Sequence, residues 1–146
     1  MSETAAYMAL IETASVRGVQ TRIRYLKEHG AHEMGWNYAN ILDVGPALLR
    51  QLQRKGFFRV YLCIPDENGS VRYAMKITAL RTFNRPEIFR DPVDGRRYLV
   101  HSRMLIHSIE ELDRPRKLTD FTSIDMRKPD IRHLQLGFLF VVDPEV

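Results

Sequence analysis

Arginines that stand next to aromatic residues are the feature of this sequence with the clearest chemical use. On a sheet, aromatic and guanidinium planes stack on bases while the cations contact backbone phosphates. Arginine accounts for 17 of the 22 basic residues in the 146-residue chain. A solvated strand face gives the same pattern, because aromatics favour strands and arginine favours the surface. The pairings lie at Arg59-Val60-Tyr61, Arg72-Tyr73, Arg81-Thr82-Phe83 and Arg96-Arg97-Tyr98.

The single tryptophan lies in a second segment of interest, Gly35-Trp36-Asn37-Tyr38-Ala39-Asn40. Trp36 and Tyr38 can stack on a base, and the amide of Asn37 or Asn40 can read a base edge. A lone tryptophan is equally typical of a buried anchor. The sequence leaves both interpretations open.

Signatures of catalysis and metal binding are mostly missing. The eight glycines do not form a phosphate-binding loop, and Cys63 lies inside an apolar strand, which indicates a core residue. His101 and His107 are about 20 Å apart by strand rise, which is too far to share one ion. We therefore predict no metal and no other cofactor. A small nuclease or hydrolase that uses His101 or His107 with an acid from Asp91 to Asp94 stays open as an alternative.

Length and composition describe one globular domain over residues 1–146. The net charge is +4, with 45% hydrophobic and 27% charged residues, which excludes a multidomain enzyme, a collagen or a disordered tail. One cysteine cannot form an internal disulfide and gives no sign of secretion. No apolar run reaches the roughly 20 residues of a membrane span, and the N-terminus lacks a signal-peptide pattern. We expect a cytoplasmic protein with no membrane partner.

Residues 1–56 are predicted to be mainly helical. Thr4 to His29 forms either one helix or two, Thr4 to Ser15 and Val19 to His29, separated at Gly18. Residues 31–44 have no clear period, and a shorter helix begins at Gly45-Pro46 and ends at Gly56. The apolar stripe of the N-terminal helix is Val16, Val19, Ile23 and Leu26.

From residue 57 onward the period changes to that of strands. A first strand leads through the turn at Asn68-Gly69 into a long return strand. Two more strands are predicted from about Arg97 to Ile109 and from Ile131 to Val142, with a surface connection at Glu110 to Thr122. The fold class is therefore α+β, with N-terminal helices followed by a mostly antiparallel sheet over 57–146 that can curl into a small barrel. One face of the first strand carries Phe58, Val60, Leu62 and Ile64, and one face of the second carries Val71, Tyr73, Met75, Ile77 and Ala79.

Three segments follow a pattern known from other proteins: the hairpin from Phe57 to Phe83, the loop through Asp94, and the run from His107 to Phe121 with Pro115. Together they resemble the PUA-like superfamily, particularly its EVE and ASCH branches. The resemblance implies a small β-barrel with accompanying helices that binds RNA or DNA. It also implies that a base, modified or ordinary, is held in an aromatic-lined pocket.

These observations predict a nucleic-acid-binding domain without catalysis. Trp36 and Tyr38 stack on the base, and Asn37 or Asn40 reads its edge. The predicted phosphate contacts are Arg72, Arg81, Arg96, Arg97 and Arg103. The alternative from another class is a protein-interaction or regulatory module that forms a homodimer through Val16, Val19, Ile23 and Leu26.

Overall fold

The computed structural model of this chain describes residues 7–123 and 138–143. Seven strands in these ranges form one sheet in the order β2-β5-β4-β3-β1-β7-β6. The β1/β3 pair is parallel, and the other neighbouring pairs are antiparallel. The fold is α+β with a mostly antiparallel sheet, as predicted, but over the described residues the sheet is open, with β2 and β6 at its edges, and does not close into a barrel. The elements are β1 (Tyr7–Thr13), α1 (Val16–His29), β2 (His32–Trp36), α2 (Ile41–Lys55), β3 (Phe58–Ile64), β4 (Ser70–Arg90), β5 (Arg97–Arg116), β6 (Thr122–Ser123) and β7 (Phe138–Asp143).

The first strand overturns the prediction of a helix from Thr4 to Ser15. β1 lies between β3 and β7, and Leu10 and Ile11 are fully buried on opposite faces of the sheet. A strand buried on both faces has a continuous apolar sequence, which periodicity cannot separate from a buried helix. The N-terminal part therefore contributes strands to the sheet as well as helices.

The helix α1 follows directly and agrees with the prediction for its second half. The Ser15 hydroxyl accepts a hydrogen bond from the Gly18 backbone N–H at 3.0 Å, which caps the first turn. Gly30, at φ +84°, ends the helix. The stripe proposed for dimerisation packs instead against the core of the same chain: Val19 is buried, and Val16, Ile23 and Leu26 lie against the same cluster.

The helix α2 begins at Ile41, before the predicted start at Gly45-Pro46, so Pro46 lies inside the helix. Ile41 is fully buried in the core, and this packing outweighs the preference of proline for the first helical position. The stretch 31–44, predicted to be irregular, therefore contains β2 and the first turn of α2. Gly56 ends the helix, as predicted.

The β3/β4 hairpin is confirmed, with Asn68 and Gly69 at φ 59° and 72°. A register shift at Leu62/Cys63 places Val71 on the opposite face from Tyr73, so the predicted face of the return strand is not continuous. β5 continues to Arg116, through most of the predicted surface connection. β7 overlaps the end of the predicted last strand and continues one residue further, to Asp143, while residues 131–137 of that prediction lie outside the described ranges.

Both faces of the sheet carry a hydrophobic core. The larger core, which includes Phe58, Val60 and Tyr73, lies under the two helices. The smaller core, on the opposite face, includes Tyr61, Cys63 and Phe121. Cys63 is fully buried, which confirms it as a core residue, and this burial raises the pKa of its thiol to about 11.

The outer parts of β4 and β5 form a hairpin, residues 87–100, which we call the arm. The pairing of β4 with β5 is interrupted between Thr82 and Glu87 and resumes from Glu87↔Val100 to Arg90↔Arg97. The arm lies against the edge strand β2, since the Tyr98 hydroxyl donates a hydrogen bond to the Gly35 carbonyl at 3.1 Å. The arm thus covers part of an otherwise open sheet edge.

We expect Gly35→Ala to destabilise the protein by about 1–3 kcal/mol, the usual range for overpacking. A Cβ at this position would lie 2.5 Å from Val100 Cγ1 and 2.9 Å from Phe89 Cδ2, so the arm has to move away from β2. Urea denaturation followed by circular dichroism measures the loss. Adding Val100→Ala removes the closest contact and is expected to restore part of the stability. Equal stability of Gly35→Ala and the wild type would contradict the packing of the arm on β2.

Candidate functional site

A pocket of about 280 Å³ lies where the end of β1, the helix α1 and the segment after β2 meet the arm. A second cavity of about 260 Å³ beneath α1 shares Glu12, Arg22 and Met34 with it. We call the first cavity the Glu12 pocket, because Glu12 is its buried acid. The side chains that give it chemical character are Glu12, Arg22, Trp36, Asn37, Tyr38 and Tyr98.

Glu12 is the least expected member of this pocket. It lies near the end of β1 between the backbones of β3 and β7, and only 8% of the residue is exposed. Burial raises the pKa of Glu12 from 4.5 to about 7, while the Trp36 indole and the Arg22 charge act in the opposite direction. Burial therefore favours the protonated acid, which can donate a hydrogen bond, over the acceptor-only carboxylate.

Arg22 connects the pocket to the arm. Its Nη2 lies 2.7 Å from Asp91 Oδ2, and its Nη1 lies 3.0 Å from His32 Nε2. His32 Nδ1 is 3.2 Å from the Gly30 carbonyl oxygen. Because the arginine donates to Nε2, the imidazole is assigned as neutral with its proton on Nδ1. Burial also lowers the pKa of His32, which favours the same neutral form.

Aromatic rings form the walls of the pocket. The Trp36 and Tyr38 ring centroids are 6.1 Å apart at an interplanar angle of 42°. Tyr98 contributes a third ring, fixed by its hydrogen bond to Gly35 and by an edge-on contact with Phe89 at 5.9 Å. Burial raises the pKa of both Tyr38 and Tyr98, so the two phenols are neutral at physiological pH. The pocket therefore combines flat apolar surfaces with one titratable acid.

The structure brings together three of the four residues predicted from the tryptophan segment. Trp36, Asn37 and Tyr38 line the pocket, whereas Asn40 lies at the N-cap position of α2. Only 3% of Trp36 is exposed and it belongs to the larger core, as expected of a buried anchor, while its stacking on a base stays a prediction.

Sequence reasoning missed Glu12, Arg22 and the inward position of Tyr98. A charged residue at the end of the apolar run Met8-Ala9-Leu10-Ile11 was the available signal for Glu12. An acid in a run of that kind is expensive to bury, so its position in the sequence deserved an explanation. Arg22 and Tyr98 carried no comparable local signal.

The predicted arginines do not form one surface, and three of them make contacts within the chain. Arg72 pairs with Glu67 at 2.8 Å and with Glu111 at 3.2 Å. Arg81 and Arg103 lie on either side of Glu33, at 3.8 and 3.7 Å from its carboxylate oxygens.

Arg103 also supports the arm. It donates to the Ile88 carbonyl at 3.2 Å, and its guanidinium lies over the Phe89 ring, 5.2 Å from the centroid. Arg96 and Arg97 are exposed on the arm, and neither side chain makes an ion pair with the part of the chain that the structure describes.

The two acids of the hydrolase alternative have other partners. Asp91 is buried against Arg22, and Asp94 accepts a hydrogen bond from the Arg96 backbone N–H at 2.9 Å. Within residues 7–123 and 138–143, no three His, Cys, Asp or Glu side chains gather closely enough to hold a metal ion. Neither helix in these ranges is long and apolar enough to span a membrane.

Comparison with known proteins gives no relative: no protein-family model, curated protein or solved structure matches this chain. The class of protein is therefore defined by the fold and the pocket. It is an α+β domain with an open, mostly antiparallel sheet and a pocket that combines aromatic walls with a buried carboxyl group.

Proposed function

We propose that this protein binds RNA or DNA and holds one unpaired base in the Glu12 pocket, in the manner that the resemblance to PUA-like domains of the EVE and ASCH type implies. The observation that supports the proposal best is the convergence of Trp36, Asn37 and Tyr38 with the buried carboxyl group of Glu12. A base presents flat faces for stacking and an edge of donors and acceptors, and the pocket offers an aromatic ring for the first and the Glu12 and Asn37 side chains for the second.

Stacking on the aromatic walls supplies the larger part of the expected affinity. Base–aromatic stacking contributes about 1–3 kcal/mol per base and tolerates different bases. Tyr38 and Tyr98 are only partly buried and line the pocket, so part of each residue is available to a ligand. The pocket volume of about 280 Å³ lies just below the usual range for ligand sites, which suits one ring system better than a whole nucleotide.

Hydrogen bonds from Glu12 and Asn37 supply the specificity. An ionised Glu12 accepts from N–H groups of a base edge, and a protonated Glu12 donates to a ring nitrogen or carbonyl. Asn37 is exposed beside the pocket, and its side-chain amide can both donate and accept a hydrogen bond. Bases in an intact duplex keep these edges paired, so the base has to come from a single strand or be extruded from a duplex.

The proposal is tested by titrating the protein with short single-stranded oligonucleotides at low salt while following the fluorescence of Trp36, the one tryptophan of the chain. Tyr38→Leu removes a stacking ring and is expected to weaken binding about 5- to 150-fold, as 1–3 kcal/mol requires. Phe57→Leu, an aromatic substitution outside the pocket, is the control and is expected to leave the affinity unchanged. The proposal fails if no oligonucleotide binds, or if the two variants bind as tightly as each other.

A further inference from the structure

The arm has two different faces. Ile88 pairs with Leu99 and Arg90 pairs with Arg97 across its strands. Residues directly opposite each other project to the same side and successive residues alternate, so these four side chains share one face. Phe89 and Tyr98 project to the other face, where they contact Gly35 of β2. We call the set Ile88, Arg90, Arg97 and Leu99 the outer face of the arm.

Aliphatic side chains on the outer face are unusually exposed. Ile88 is 65% exposed and Leu99 is 50% exposed. Single exposed aliphatic residues are ordinary on protein surfaces, but these two lie directly opposite each other beside two exposed arginines. The combination gives a small apolar patch with cations at one end.

The two arginines of this face repel each other. Like charges directly opposite in an antiparallel pair are destabilising. Arg81 and Arg103 form a second opposed pair in the same two strands, and there Glu33 lies between the charges. Arg90 and Arg97 form no ion pair within the described ranges. Unlike Arg81 and Arg103, the guanidinium groups of Arg90 and Arg97 therefore have no carboxylate between them within the described ranges.

The acids near the arm do not fill this role. Asp91 pairs with Arg22, on the side of the arm that faces α1. Asp94 accepts from the backbone of Arg96 in the turn. Glu87 pairs with Val100, so alternation places it on the side opposite Arg90.

We propose that the outer face of the arm docks on the phosphate backbone of a nucleic acid that has one base in the Glu12 pocket. This inference rests on the proposed function. Guanidinium groups bind phosphate oxygens through paired hydrogen bonds, and Ile88 and Leu99 then pack on the sugars. Nucleic acid is favoured over other polyanions because the arm also lines the Glu12 pocket through Tyr98. Tyr98 projects to the face opposite Arg90 and Arg97, so the backbone has to pass round the edge of the arm to reach both.

The test uses a double variant, Arg90→Gln with Arg97→Gln, and a matched control, Arg50→Gln with Arg54→Gln, which removes the same charge from exposed positions of α2. The affinity for a 12-residue oligonucleotide is measured over a series of salt concentrations. Each lost phosphate contact lowers the slope of log affinity against log salt by about 0.7 for a single strand. We expect the arm variant to lower the slope by about 1.4 in total and the control to leave it unchanged.

A single nucleoside, which carries no phosphate, separates the two proposals. The arm variant is expected to bind the nucleoside as the wild type does, by the fluorescence of Trp36. If oligonucleotides bind and the salt slope is the same in both double variants, the arm proposal is overturned while the proposed function stands. If neither nucleoside nor oligonucleotide binds, both are overturned. Binding to phosphatidylserine vesicles but not to oligonucleotides would assign the outer face to membranes and overturn it as well.

Discussion

Replacing Arg22 by methionine is expected to lower the free energy of unfolding by about 3–5 kcal/mol, the usual loss when one partner of a buried ion pair is removed. The side chains of Arg22 and Asp91 are only 17% and 5% exposed, and their nearest atoms are 2.7 Å apart. The substitution leaves Asp91 as a buried charge without its cation and removes the donor to His32 Nε2. Urea denaturation at pH 7 measures the change.

Two further variants show whether this loss comes from the ion pair. Arg24→Met lies on the same helix at an exposed position and is expected to change the stability by less than about 0.5 kcal/mol. Adding Asp91→Asn to Arg22→Met removes the stranded charge and is expected to recover part of the loss, giving a coupling energy between the two sites. Equal effects of Arg22→Met and Arg24→Met would show that the contact between α1 and the arm is not structurally important.

The stability of the protein is expected to fall by about 3 kcal/mol between pH 4 and pH 8 through Glu12 alone, since each pKa unit corresponds to about 1.4 kcal/mol. Burial raises the pKa of this group from 4.5 to about 7. Between these values the folded state holds a proton that the unfolded state has released, so rising pH favours unfolding. The contribution is complete at low pH and is lost as the pH rises through about 7.

Glu12→Gln cannot titrate, so the difference between the wild-type and variant stability curves isolates this group. We expect the wild type to lose stability relative to the variant as the pH increases, with the change centred between 4.5 and 7. Glu110→Gln, at an exposed position of β5, is the control and is expected to run parallel to the wild type. Parallel curves for the wild type and Glu12→Gln would contradict the burial of an ionisable group at this position.

The parts of the fold that follow local rules could be predicted from the sequence. The predicted face of the first strand, at every second residue from Phe58 to Ile64, lies in the larger core, and Asn68-Gly69 specifies the following turn through positive φ. The second half of α1 follows its apolar stripe and ends at Gly30. In each case one short window of sequence contains the information.

The parts that depend on distant contacts could not be predicted. The sequence of β1 predicts a helix because the sheet buries both faces of this strand, so its apolar residues do not alternate with polar ones. Arg22 and Asp91 are 69 residues apart in sequence, and no local sequence pattern indicates that they are in contact. Arg81 and Arg103 contact Glu33 only because the register between β4 and β5 places them opposite each other, and this register contains several shifts. The Glu12 pocket has the same origin, because β1, α1, β2 and the arm each supply part of it.

The inert Cys63 makes this protein convenient for site-specific labelling. It is the one cysteine of the chain, it is fully buried, and its thiol pKa of about 11 keeps it protonated at neutral pH. Maleimide dyes react with exposed thiolates, so the native chain provides an unreactive background that needs no cysteine removal. A dye on Glu87→Cys, an exposed position of the arm outside its outer face, would report on the arm, and energy transfer from Trp36 would follow its distance from the Glu12 pocket during nucleic-acid titrations.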